Sequence, residues 1–387
     1  MRPLHGLVAL GVATALWLPA LQFVFTPAEP EADARALATR HLALWSDPAL
    51  RAAEVDRMRA RNAEWDFMGR TFLVLALANE ALRTPSKTPD AVRVIDAIVD
   101  ETLRLEAEHG FRFFMMDYAG IGRFQSGLDR SIFVDGEIAL MMGARRMLAE
   151  RADLATGMRE RVEALVQSMG RSPARVGESY PDEGWMFCNT VALVAIRMLD
   201  VLDGTDHAAF IGQVLASLKA NLTDPATGLL VSSFTFAGQP LDGPEGSSIW
   251  MVIHCLDALD RDYAADQYRR ARAELGRTFL GFGWAIEWPA SWQGPRDVDS
   301  GPIIPVIEVS AGASGMAFLG AATVGDTDYL QALHRTLDFA AFPIRDAHGL
   351  RYAASNQVGD AVLLYASVVG PLWDRLRAGG GAHDAAP

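Results

Sequence analysis

The chain has 387 residues, of which 50% are hydrophobic and 21% charged, with a formal net charge of -13. This composition suits a large folded core and excludes a disordered chain. No block of Lys and Arg stands out, which argues against a nucleic-acid partner, and the acid excess is read as a device for solubility.

The first segment, "MRPLHGLVALGVATALWLPALQFVF", places Arg2 and His5 ahead of an apolar run ending at Phe25. A signal peptide has this order, with an apolar stretch of about 7–15 residues. A run of about 20 residues also spans a bilayer. Cleavage after Ala28 or Ala34 and retention as an anchor both stay open, as does a buried core helix. Either of the first two readings leaves Arg2 inside and exports the body to the periplasm or the outer face of the membrane. The expected organisation is a signal peptide or anchor over 1–28, one helical domain over 29–375 and a flexible tail over 376–387.

Two kinds of segment then alternate. The first is amphipathic. In "TPDAVRVIDAIVDETLRLEAEHG", Thr88 suits an N-cap, Pro89 the first turn and Gly110 the stop. Val92, Ile95, Ile98, Val99 and Leu103 share one face. Similar helices are expected over 34–59, 153–169, 206–222, 263–279 and 327–341. The second kind starts polar and turns apolar nearly all round, so it must be buried. Its six starts are Asp66, Asp135, Cys188, Ser247, Glu308 and Gly359. Six buried helices alternating with six amphipathic ones predict an all-α fold, an (α/α)6 barrel with an inner and an outer ring. Strand signals are confined to 229–236 and to the segment opening at Leu350. Parallel inner helices would gather their polar starts at one end, around one pocket with an apolar wall.

The acids at that end are the main chemical resource. "DRSIFVDGEIALMM" contributes Asp135 and Glu137. "GPRDVDSGPIIPVIEVS" carries Asp297 and Asp299 in a Gly/Pro-rich loop ahead of Glu308. In a dry pocket, paired acids separate their pKa values and supply one proton donor and one base. Helix capping, pairing with Arg123, Arg130 or Arg296, and calcium binding are the alternatives. No nucleophile elbow, phosphate loop or dinucleotide fingerprint is present, so the enzyme reading is acid/base chemistry with no cofactor and no metal. His254, inside an apolar run, reads as a core residue. Cys188 and Cys255 are expected to stay unpaired. They lie at different depths of two inner helices, and a helix start lowers a thiol pKa. Aromatic loops such as "EGWMF" and "GFGWAIEWPASWQG" suit an apolar wall, a cation or a sugar.

One stretch is more specific. "YPDEGWMFCNTVALVAIRMLDVLDGTDHAAFIGQVLASLKANLTDPATGLL" resembles the linalool dehydratase/isomerase family. The shared pattern is P-D, an aromatic stretch, C-N-[ST]-V-A, D-x-L-x-G-T-D and D-P-x-x-G. "WDFMG", "DGEIALMMG", "DVDSG" and "LRYA" extend it more weakly over the body. The resemblance implies an exported (α/α)6 barrel performing cofactor-free hydration, dehydration or isomerisation of an allylic isoprenoid alcohol. It also implies a homo-oligomer in which a neighbour completes the pocket. By position, Asp66 matches the family's catalytic Asp and Cys188 the second of its two loop cysteines. Ser179 stands where the first cysteine would be, Glu137 where the family has His, and Phe72 where it has Tyr. Asp66, Glu137 and Cys188 are therefore the expected catalytic set. Phe72, Asp135, Ser179, Trp185, Ser247, Asp299 and Glu308 are the expected substrate contacts. The expected partner is a small apolar alcohol, with membrane attachment through the N-terminal segment. Two rivals are a carbohydrate-active barrel enzyme using Trp284, Trp288 and Trp292, and a non-catalytic lipid-binding or scaffold protein of the envelope.

Overall fold

The computed structural model describes residues 2–25, 30–296 and 300–380. Fourteen helices of ten residues or more are labelled α1 to α14 among them. They are α1 (Arg2–Val24), α2 (Pro30–Ser46), α3 (Ala63–Arg83), α4 (Thr88–His109), α5 (Ile132–Leu148), α6 (Ala152–Arg171) and α7 (Met186–Asp203). The second half holds α8 (Ala208–Asn221), α9 (Gly246–Leu259), α10 (Arg261–Glu274), α11 (Ala311–Val324), α12 (Thr327–Ala340), α13 (Gln357–Val368) and α14 (Pro371–Gly380).

The odd-numbered helices α3, α5, α7, α9, α11 and α13 pack each against the next, and α13 closes back on α3. This is the inner ring of an (α/α)6 barrel. Helices α4, α6, α8, α10 and α12 join consecutive inner helices from outside, and α2 packs against α13 in the sixth position. Composition drives the layering. In α3 the run Phe72 to Ala78 is buried all round, whereas α12 has only Tyr329, Ala332 and Leu333 buried. Local signals set the ends. The Asn62 side chain accepts from the backbone N–H of Glu64 and Trp65 at the start of α3, and Ser310 accepts from Ala313 at the start of α11. Gly204 (φ 69°) and Gly325 (φ 75°) end α7 and α11 in the left-handed region, which a Cβ disfavours.

Every inner-to-outer link is short, so each pair is an antiparallel hairpin and the inner helices all start at one end. The outer-to-inner links at that end are long and carry the strands. β1 (Gly184–Trp185), β2 (Ser233–Phe234) and β3 (Pro240–Asp242) form one antiparallel sheet. β4 (Gly276–Phe279) pairs with β5 (Phe282–Ala285), β6 (Ile303–Ile304) with β7 (Val309–Ser310), and β8 (Pro343–Asp346) with β9 (Gly349–Tyr352). At the opposite end α14 lies across the ring, with Leu372, Trp373 and Leu376 buried, so the first part of the expected tail is core.

Four boundaries differ from the sequence expectation. The helix foreseen over 34–59 breaks at Asp47, whose carboxylate caps a new turn starting at Pro48. Thr88 is helical, and a turn over Pro85–Lys87 precedes it in place of a side-chain cap. α10 stops at Glu274 because residues 276–279 pair as a strand. Glu308 precedes α11 on the β6–β7 hairpin, so that helix starts at Ala311.

Candidate functional site

The barrel axis is lined from four inner helices around Glu137. Its side chain, on α5, lies beside Thr71 of α3 and within electrostatic reach of Cys188 on α7 and Cys255 on α9. Glu137 is fully buried with no cation against it. Thr71 is the polar side chain beside the carboxyl, and neither its Oγ1 nor Glu137 Oε2 makes a well-formed hydrogen bond among the described residues. Burial therefore dominates and raises the Glu137 pKa to about 8, so the carboxyl is protonated at neutral pH. Ser248 Oγ is a third buried group without a partner, and it lies seven residues before Cys255 on the same face of α9. A buried hydroxyl or carboxyl left without a partner costs about 1–3 kcal/mol. Three of them around one axis are polar groups available to a ligand.

Cys188 is buried beside Ser179, whose Oγ accepts from the Trp185 backbone N–H at 3.1 Å. The lowered thiol pKa expected at a helix start is not found. Burial pushes it well above the usual thiol range, assisted by the nearby acids Glu137, Glu64 and Glu183. Both cysteines are free. Towards the helix starts, Glu64 accepts a hydrogen bond from the Tyr180 hydroxyl, which itself accepts from the Met116 N–H at 2.9 Å. Tyr180 stacks on Tyr118 with ring centroids 4.2 Å apart. Away from the helix starts the lining is aromatic. Phe72 meets Phe187 edge-on at 6.5 Å and Tyr365 at 6.3 Å. Below them His254 bonds the Tyr365 hydroxyl at 2.6 Å and Thr323 at 2.7 Å, and stacks on Trp373. Its burial lowers its pKa to about 3, so it is a neutral, fully partnered core group.

The structure thus brings together Glu137, Cys188, Ser179, Trp185 and Phe72 from the expected set. It places the others elsewhere. Asp66 turns outward between the rings. Arg70 donates to it at 3.1 and 3.2 Å, Arg59 donates at 3.2 Å, and Arg70 also reaches Glu101 and Thr102 of α4. Asp66 and Arg70 are four residues apart and share the outer face of α3, while Thr71 and Phe72 share the inner one. Asp135 likewise faces the outer ring, held by Arg130 at 2.6 Å and Arg161 at 2.6 Å. The expected convergence of Asp66 with Glu137 and Cys188 is therefore not met.

Ser247 bonds Glu287 through both its N–H (2.9 Å) and its hydroxyl (2.6 Å), and Ser310 bonds the other Glu287 oxygen at 2.5 Å. That buried carboxylate ties the starts of α9 and α11 together and neutralises their dipoles. Glu308 is exposed on the β6–β7 hairpin with φ 51°. Asp299 and Asp297 lie outside the described residues. Among the described residues no group of three or more His, Cys, Asp or Glu is placed to hold a metal ion. Sequence reasoning missed Glu64, Thr71 and Ser248. Glu64 was findable, because it lies seven residues before Thr71 and so shares its inward face.

Comparison with known proteins gives one family. The linalool dehydratase/isomerase model matches residues 156–358. No curated protein sequence matches the chain. Among solved structures, a selenomethionine derivative of a GH76 α-mannanase from Bacteroides thetaiotaomicron is 12% identical, with a TM-score of 0.45 over 78% of this chain and 85% of that one. A family 76 glycoside hydrolase from a bovine strain of the same species is also 12% identical, with a TM-score of 0.45 over 81% of this chain and 70% of that one.

Proposed function

The chain belongs to the linalool dehydratase/isomerase family, and on that premise we propose that it is a cofactor-independent lyase or isomerase of a small apolar, allylic isoprenoid alcohol. The observation that carries the proposal is Glu137, a protonated carboxyl with a free oxygen on the axis of an apolar barrel. Such a group donates its proton to a departing hydroxyl, which leaves as water. The allylic cation so formed is flanked by Phe72, Phe187 and Tyr365, whose ring faces stabilise positive charge without attacking it. Glu64 is the proposed proton acceptor, because its carboxyl group, which accepts from Tyr180, stands like Glu137 within electrostatic reach of Cys188. The neutral Cys188 thiol and Ser179 orient the substrate between the two carboxyl groups. The role first given to Asp66 passes to Glu64, since Asp66 is committed to two arginines. Run in reverse, the same groups hydrate the double bond, and recapture of water at the other allylic carbon is isomerisation.

The test is direct. Purified full-length protein is incubated with a tertiary allylic isoprenoid alcohol in sealed vials, and the diene or the isomeric alcohol is followed by gas chromatography. Turnover should be sustained through neutral pH and fall as pH rises through about 8, the pH at which Glu137 loses its proton. Absence of turnover of any such alcohol, or an alkaline limb that survives replacement of Glu137, would overturn the proposal.

A further inference from the structure

The exposed large apolar side chains are not scattered. Outside α1, those at the end where the inner helices start are Tyr118, Ile121, Leu241, Phe279, Ile304, Val306, Ile307, Phe339 and Phe342. At the opposite end, among the described residues, only Val324 is exposed, at 38%. Val306 is 97% exposed at a hairpin tip with φ 76°, a conformation unusual for a β-branched residue. Ile121 is 76% exposed, and Phe279 and Phe342 are each 64% exposed. These four belong to different turns, so no single local fault explains them. Exposed apolar groups gathered on one face mark an interaction surface.

A second observation indicates what covers it. Within α1, residues Leu4–Val24 are long and apolar enough to cross a bilayer, and none of that window is buried against the barrel. Its C-terminal end touches the body, and it does so at this same end. Phe25 meets Phe339 edge-on at 5.2 Å, Gln22 packs over Gly281 in the β4–β5 turn, and Phe282 lies 5.6 Å from Phe339. Phe339 closes α12, whose end lies beside the start of α11, and Phe279 and Phe342 occupy the adjoining turns.

We infer that the helix-start end of the barrel rests on a lipid bilayer, with α1 as its anchor and the tips bearing Phe279, Val306 and Phe342 inserted in the interface. The opposite end, bearing the exposed acids Glu150 and Asp153 paired with Arg146 and Arg151, faces water. The placement follows from the anchor's seat and the distribution of apolar tips, and does not depend on the reaction proposed above.

The test uses the full chain in vesicles of phosphatidylcholine and phosphatidylglycerol. Phe279→Cys, Val306→Cys and Phe342→Cys are each labelled with a nitrobenzoxadiazole dye, and Val324→Cys is the water-facing control. The native Cys188 and Cys255 are buried and do not compete for label. All three tip labels should show blue-shifted emission and at least about twofold quenching by shallow doxyl lipids, as expected for groups inserted about 5–10 Å into the headgroup region. The Val324→Cys label should show neither. Water-like emission at the tips of inserted protein would overturn the inference. So would a blue shift that is not quenched by doxyl lipid and fades as protein is diluted in lipid, because that result assigns the face to a second copy of the chain.

Discussion

Glu137 differs from Asp66 and Asp135, the acids on the neighbouring helix turns, in having no arginine against it, and this difference has a measurable consequence. Its pKa is raised from 4.5 to about 8 by burial. Between those values the folded chain holds a proton that the unfolded chain has released, so stability falls as pH rises across that window and levels off above it. At about 1.4 kcal/mol per pH unit this amounts to several kcal/mol. Glu137→Gln removes the effect, so its melting temperature relative to wild type should be clearly higher at pH 8 than at pH 5. An unchanged difference in thermal melts at the two pH values would show that the carboxyl is solvated. Asp66, by contrast, is held by two arginines. Asp66→Asn leaves Arg70 and Arg59 without their shared carboxylate. Breaking such a buried pair costs about 3–5 kcal/mol. Chemical denaturation should show that loss, while kcat per folded molecule stays within about twofold of wild type, the variation expected for a change that leaves the reacting groups in place. The contrast was not legible from residue type. Asp66 and Glu137 both stand near inner-helix starts in the sequence, and only the identity of the facing side chains separates a paired acid from an unpaired one.

At the level of elements, the alternation of apolar and amphipathic helices was readable because burial on all sides demands it. The turn at Asp47 and the β4–β5 hairpin were not, because tertiary pairing decided them. Residues 276–279 continue a helical pattern in the sequence but pair with residues 282–285 in the fold. Close helix packing was also hidden. Gly320 on α11 faces Trp250 of α9, and an added Cβ would lie 2.6 Å from Trp250 Cε3. Trp250 is fully buried against Tyr268 and Tyr329 and has no room to retreat. Gly320→Ala should therefore destabilise by about 1–3 kcal/mol through overpacking, outweighing the roughly 1 kcal/mol that Ala gains over Gly in a helix. A urea midpoint equal to or above that of wild type would mean that the two helices can separate at this point.

For the whole molecule, the ring geometry sorts polar groups into two populations. Those turned outward, Asp66 and Asp135 among them, pair with arginines and bind inner to outer helices. Of those turned inward, Thr71, Glu137 and Ser248 keep unused hydrogen-bonding capacity among buried side chains, whereas His254 is fully partnered. The resemblance visible between Pro181 and Gly228 led to the right family, and its weaker extension over "DGEIALMMG" drew attention to Glu137. It gave no sign of Glu64, which only the helical spacing to Thr71 exposes. The account depends on the inward set acting on an alcohol through Glu137. The most direct measurement is turnover of a tertiary allylic alcohol by Glu137→Gln, which keeps the shape of the side chain and removes its acidic proton. The account predicts a loss of kcat of about 100-fold or more, the contribution of a positioned general acid, in a variant that melts no lower than wild type. A folded Glu137→Gln protein retaining wild-type kcat would contradict it.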